Sequence, residues 1–258
     1  MTITKPEGQG TTDSPADGPA MRAYAVGVVA GAFVGLLVGG VLGRLAMFVL
    51  RLTSPQASMG LTTDADSTIG EWSLKTFELL EVGIAMGAQV GALYMLVRPW
   101  LAERHRPAMT GVFGALIGGA MFIRTDGVDF YAVEPLYLTV PVFIVLPGLF
   151  GWLLAWTAER LMDGGFLAGE PTWKLWTPIL LVLPAVIHIS LLPPGIIMLV
   201  AAVLATVGRD RWRTPVRIWR SRVTSWIGTR LLSVFAVIEL VRIVHAVNVI
   251  ADHPGGLG

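Results

Sequence analysis

The sequence contains no cysteine, which removes disulfides, thiolate metal sites and cysteine nucleophiles from consideration at once. Charge is scarce as well. Asp, Glu, Lys and Arg make up 14% of the 258 residues, against about a quarter in ordinary soluble domains. The local patterns that carry common chemistry are also missing: there is no HExxH, no GxSxG, no GxxxxGK phosphate loop, and no GxGxxG in a strand–helix setting. Glu239 and His245 are six residues apart, hence on different helix faces, and would need a third ligand from elsewhere to hold zinc. No metal site and no cofactor is expected.

What the chain has in abundance is apolar length. Hydrophobic residues make up 54% of it, and several runs of about 20 predominantly apolar residues match the length a helix needs to cross roughly 30 Å of hydrocarbon. The expected fold class is therefore all-α, a polytopic transmembrane helix bundle. Seven spans are expected, at about 23–50, 74–97, 108–124, 135–157, 175–192, 194–208 and 226–250. The fifth and sixth are adjacent and together too long for one crossing, about 50 Å at 1.5 Å per residue. Pro193, Pro194 and Gly195 stand where a hairpin between them would turn; a re-entrant hairpin is the alternative. Residues 1–22 are polar and are expected to form a disordered cytoplasmic tail, not a signal peptide, because the apolar run behind them continues for over about 25 residues without a small-residue cleavage site. Residues 252–258 are expected as an external tail.

The distribution of charge orients the bundle. Placing the N-terminus inside gives the cytoplasmic segments Lys5, Arg22, Arg98, Arg104, Arg106, Arg160, Lys174 and the cluster Arg209, Arg211, Arg213, Arg217, Arg220 and Arg222. The external segments then hold Asp64, Asp66, Glu71, Asp126, Asp129, Glu134 and Asp252. This is the positive-inside pattern, and it implies N-in and C-out with an odd number of crossings. Residues 209–225 read as a basic amphipathic segment: Thr214 can cap a helix with Pro215 in its first turn, and Val216, Trp219, Val223 and Trp226 fall on one side. Arg213, Arg217, Arg220 and Arg222 would then meet anionic lipid at the cytoplasmic leaflet, although an ordinary basic loop explains them equally well. Nucleic acid is not expected as a partner.

Glycine supplies the packing signal. Gly27, Gly31, Gly35, Gly39 and Gly43 recur at every fourth position of span one; Gly83, Gly87 and Gly91 do so in span two, and Gly111, Gly114 and Gly118 mark span three. Lipid gives apolar helices no hydrophobic reason to associate, so close approach through small residues supplies van der Waals contact instead. A repeat of four drifts by about 40° per step on a 3.6-residue turn. One straight partner cannot follow the whole ladder, so span one is expected at the centre of the bundle, against spans two and three. A homodimer through the same face is the minority alternative.

The remaining signal is charge inside the spans, which is costly unless paired or wetted and so faces the bundle interior or a cavity. Arg44 and Arg51 share one face of span one. Glu78, Glu81 and Gln89 share the face of span two opposite its glycines. Arg44 and Glu81 sit at similar depth, so an ion pair is expected to be available to them. Span seven carries Glu239, Arg242, His245 and Asn248 at three-residue steps, with His188 of span five near the same level. Arg44, Glu78, Glu81, Glu239, Arg242 and His245 thus form either a polar vestibule open to the outside or a structural ion-pair network, with His188, Asp126 and Asp129 as additional members. The acidic loops lack the fixed spacing of a calcium site.

Two stretches, RLTSPQASMGLTTDADSTIGEWSLKT (51–76) and RTDGVDFYAVEPLYLTVPVFIVLPGLFGWLLAWTAERLM (124–162), resemble a group of uncharacterised multi-pass membrane proteins of actinobacteria. The DGVDF of Asp126–Phe130, the LPG of Leu146–Gly148 and the ER of Glu159 and Arg160 carry the likeness. It implies a bacterial plasma membrane and transfers no activity and no site. Two functional classes follow from the residues themselves. The first is a non-catalytic membrane component, a scaffold or subunit that meets a protein partner or a second copy. The second is a small-solute or proton-coupled transporter using the vestibule; an intramembrane enzyme ranks third.

Overall fold

The computed structural model describes residues 18–53, 75–123, 136–166, 218–219 and 221–252. Every regular element among them is helical. Helix α1 (Gly18–Val34) runs without a break through a π-helical segment (Gly35–Leu42) into α2 (Gly43–Thr53). Helix α3 (Lys75–Val97) ends in two 3₁₀ turns, Arg98–Trp100 and Glu103–His105, which lead directly into α4 (Arg106–Phe122). Helices α5 (Leu136–Asp163) and α6 (Arg222–Asp252) complete the described structure. Four of these segments, Arg22–Leu50, Leu80–Trp100, Tyr137–Asp163 and Arg222–Asp252, are long and apolar enough to cross a membrane. The expected spans five and six, the N-terminal tail to residue 17 and the external loops lie outside the described residues.

The glycines of α1 and α3 meet in antiparallel register. A β-carbon added to Gly27 would strike the carbonyl oxygen of Gly91, one on Gly31 that of Gly87, and one on Gly35 that of Gly83. The reverse additions collide just as directly with the α1 carbonyls. Backbones this close can exchange Cα–H···O contacts, and no residue larger than glycine fits. The ladder then leaves its partner, as its drift requires: Gly39 is exposed, Gly40 takes over by packing on Leu80, and Gly43 approaches only the Val38 carbonyl of its own helix.

The second neighbour of α1 is α5 and not α4. Val34 and Val38 join Tyr94, Leu101, Leu154, Ala155 and Ala158 in one core cluster, while α4 packs along α5. The expectation that span three would flank span one is therefore corrected. The glycines of α4 match a different set of small residues: Gly114 faces the Pro147 carbonyl and Gly151, Gly118 faces the Pro147 ring, and Gly111 faces Trp152 and Gly148. The Gly114–Gly118 surface of α4 thus receives Pro147, one of two prolines inside α5. Centrality follows from burial. In the most apolar stretch of Arg22–Leu50 61% of residues are buried, against 44% in that of Leu80–Trp100 and 22% in those of α5 and α6.

All connections described at one end of the bundle converge there. The C-terminus of α3, the N-terminus of α4, the C-terminus of α5 and the N-terminus of α6 touch one another, and Arg22 of α1 joins them. The chain thus leaves α5 and re-enters α6 at the same end.

Candidate functional site

The most connected polar group among the described residues is the Glu159 carboxylate of α5. Arg98 Nε donates to Oε1 and Arg98 Nη2 to Oε2, each at 2.7 Å. The Tyr94 hydroxyl donates to Oε1 at 2.7 Å and Arg106 Nη1 to Oε2 at 3.0 Å. Side-chain exposure is 20% for Glu159, 27% for Arg98 and 11% for Arg106, so the group is shielded without being sealed. A carboxylate offers about four lone-pair sites, and all four are occupied. Such a carboxylate has no capacity left for a metal, a substrate or a proton to be abstracted; it ties α3, α4 and α5 together.

Local structure explains why these groups meet. Tyr94 and Arg98 are four apart and share a face at the end of α3. The two 3₁₀ turns shorten the connection so that Arg106, the first residue of α4, returns to the same place. Glu159 is one turn beyond Ala155 and next to Ala158, both fully buried, so it lies on the inner edge of α5.

The 98–105 turn is held from outside by α6. The Trp100 ring lies where a β-carbon on Gly228 would be, and it packs on Trp219 with ring centroids 4.4 Å apart. Three side chains from this region satisfy carbonyls that the end of α3 leaves open: Trp219 Nε1 donates to Leu96 at 2.8 Å, Ser225 Oγ to Pro99 at 3.1 Å and Thr229 Oγ1 to Trp100 at 2.6 Å. At the end of α5, Gly165 (φ +69°) closes a Schellman motif, with Phe166 N–H donating to Leu161 O at 3.1 Å. Arg22 adds two donors there, Nε to Phe166 O at 2.8 Å and Nη2 to Met162 O at 3.0 Å.

The charges expected to form a vestibule are placed as follows. Glu239 is on the buried face of α6 with Ile243, Ala246 and Ile250, and its carboxylate pairs with Arg242 at 3.1 Å. Side-chain exposure within that pair is 7% for the acid and 65% for the arginine. His245 and Asn248 are exposed. Arg44 and Glu81 are both half-buried, but the ion pairs among the described residues do not join them. The π-helical segment before Arg44 closes i→i+5 turns, so Arg44 presents a different face from the one an uninterrupted α-helix would give it. Glu78 lies on α3, with its side chain outside the described set. Arg51 is in the same position on α2, while His188, Asp126, Asp129, Arg213, Arg217 and Arg220 lie outside the described residues. Among the described residues no group of three His, Asp or Glu could hold a metal ion. A cavity of ≈ 270 Å³ at the opposite end is lined by Tyr137, Val140, Pro141, Val247, Ile250 and Ala251, none of them charged.

Residues 209–217 and Arg220 of the expected basic segment lie outside the described residues. Ser221 Oγ accepts the Thr224 N–H at 3.2 Å, the N-cap pattern, so α6 starts at Arg222. Trp219 precedes this cap and packs on Trp100, and Trp219, Val223 and Trp226 are all exposed. Arg222 is exposed at the start of α6.

Sequence reasoning counted Arg98 and Arg106 only as cytoplasmic charge and did not connect them to Glu159. The available signal was the Tyr94–Arg98 spacing of four together with Glu159 following the Ala155–Ala158 small-residue face. No protein-family profile matches this chain, nor does any curated protein or solved structure.

Proposed function

We propose that this protein is a non-catalytic component of a bacterial plasma membrane, a scaffold or subunit with seven spans, N-in and C-out, its arginine-rich end in the cytoplasm. The observation that carries this reading is the saturation of Glu159: the polar group with the most partners is consumed in joining three helices. The glycine faces of α1 and α3 are likewise filled from within the chain, so a partner would meet loops or lipid-facing surfaces. Mild-detergent purification from the native membrane tests the reading. A stoichiometric partner protein supports it; a clean monomer with none sinks it.

One observation favours the transporter reading as the second choice. Glu239 is a buried acid in the interior of a long apolar helix, and its arginine partner is largely open. Intramembrane acids with a mobile counter-charge serve as ion or proton relays. The vestibule of Arg44, Glu78, Glu81, Glu239, Arg242 and His245 would then be the outward-facing site. Solute or proton uptake by the purified protein in proteoliposomes, abolished by Glu239→Gln, would favour transport; uptake no higher than in empty vesicles across a broad solute panel removes it.

A further inference from the structure

We propose that Trp156–Arg160 and Trp226–Arg230 are two binding sites for the phosphate of an anionic phospholipid. The proposal rests on the membrane-spanning reading above. In each pair a tryptophan is followed four residues later by an arginine on the same helix face. The Arg160 guanidinium carbon lies 5.5 Å from the Trp156 ring centroid, and that of Arg230 lies 5.4 Å from the Trp226 ring centroid. All four residues are exposed. Neither arginine has a carboxylate within ion-pair distance among the described residues.

The two arginines stand at one level of the bundle; because α5 ends and α6 begins at this end, Trp156 lies one turn inward of that level and Trp226 one turn outward. Thr229, next to Arg230, donates to the Trp100 carbonyl; Glu159, next to Arg160, binds Arg98, two residues from Trp100. That level holds Arg98, Arg106, Arg160 and Arg230 against Glu159, which pairs with two of them, and Glu103, which contacts Arg106, so the two tryptophan-paired arginines leave its field positive and select an anionic headgroup over a zwitterionic one. An indole under the guanidinium removes water from one face of the cation and fixes its plane. Its in-plane N–H donors remain open, in the fork that matches phosphate oxygens. Trp152 extends the first site by one turn towards the hydrocarbon, stacked 6.4 Å from Trp156 at 12°, where it can flank an acyl chain. Tryptophan is the side chain suited to this boundary, apolar in its body and polar at one edge.

The test is native mass spectrometry of the purified full-length chain with phosphatidylglycerol and phosphatidylcholine of identical acyl chains. Wild type is expected to retain up to two phosphatidylglycerol molecules in preference to phosphatidylcholine. Arg160→Gln and Arg230→Gln are each expected to weaken phosphatidylglycerol binding at their own site about fivefold, the contribution of one basic residue near an anionic surface, leaving the second bound lipid in place. Trp156→Leu, which leaves the charge in place, is expected to lower retention at the first site alone. Equal retention of the two lipids by wild type overturns the proposal, as does retention that neither arginine substitution changes while the variants elute and melt as wild type does. Displacement by millimolar glycerol phosphate would overturn the lipid assignment in favour of a soluble phosphate. An alkaline carbonate wash separates the two levels: loss of the chain from membranes refutes the spanning reading, whereas a retained chain without lipid preference refutes only these sites.

Discussion

Replacing Glu159 with alanine removes the carboxylate shared by Arg98, Arg106 and Tyr94. Arg98 then loses its counter-charge, Arg106 keeps only the exposed Glu103 at 3.4 Å, and the Tyr94 hydroxyl, on a residue almost fully buried, loses its acceptor. Breaking a buried ion pair from one side costs about 3–5 kcal/mol. The 20–27% exposure of Glu159 and Arg98 lets water recover part of that, and the orphaned hydroxyl adds about 1 kcal/mol, so about 3 kcal/mol is expected in total. At roughly 2–4 °C per kcal/mol for a chain of this size, the thermal midpoint in detergent should fall by about 6–12 °C, followed by intrinsic tryptophan fluorescence. Glu159→Gln keeps an acceptor for Tyr94 and for one guanidinium and should fall between alanine and wild type. Glu103→Gln is the control: Glu103 is exposed and contacts Arg106 only at 3.4 Å, and exposed pairs of this kind contribute about 0–1 kcal/mol. Adding Arg98→Ala to Glu159→Ala should cost less than the sum of the two single changes, because each alone leaves a partner unpaired. A Glu159→Ala midpoint no lower than that of Glu103→Gln would refute the reasoning.

The other predictions follow from packing and from the second ion pair. Gly31→Val drives a side chain into the Gly87 carbonyl and should abolish the monodisperse species in size-exclusion chromatography, whereas Gly39→Ala, whose β-carbon would stand 3.5 Å from Gly83 Cα, should shift the melting midpoint by no more than about 2 °C. On α6, Arg242→Ala strands a carboxylate that is almost fully buried, while Glu239→Gln leaves an open arginine that water can reach. Arginine removal should therefore be the more destabilising by about 1–2 kcal/mol; equal melting midpoints would contradict it.

The sequence carried the helical class and the α1–α3 contact clearly, because both rest on local periodicity. Apolar runs of spanning length leave few alternatives, and glycines at every fourth position of two successive helices mark the faces that meet; three antiparallel registers would satisfy the ladders, and the structure adopts the one that brings Gly31 to Gly87. It did not reveal that α5 is the second neighbour of α1. That contact uses Val34, Val38, Leu154, Ala155 and Ala158, ordinary residues whose partner depends on the whole bundle. The π-helical segment was equally hidden, since nothing in GLLVGGVL marks an i→i+5 turn. The Glu159 site escaped for a related reason. Its members stand at positions 94, 98, 106 and 159, and only the sharp 98–105 turn, pinned by Trp100 on Gly228, brings the last of the arginines home.

The proposed topology puts the Glu159 end of the bundle, ringed with arginine and tryptophan, in the cytoplasm. The absence of native cysteine allows a direct measurement with single introduced thiols at Arg104→Cys, exposed in the turn beside that end, and Asp252→Cys, exposed at the far end of α6. In intact cells a membrane-impermeant maleimide should label the Asp252→Cys protein, and should label the Arg104→Cys protein only after the membrane is permeabilised. Labelling of Arg104→Cys in intact cells, with Asp252→Cys protected until permeabilisation, would contradict the orientation; labelling of neither or both in sealed cells would contradict the odd number of crossings.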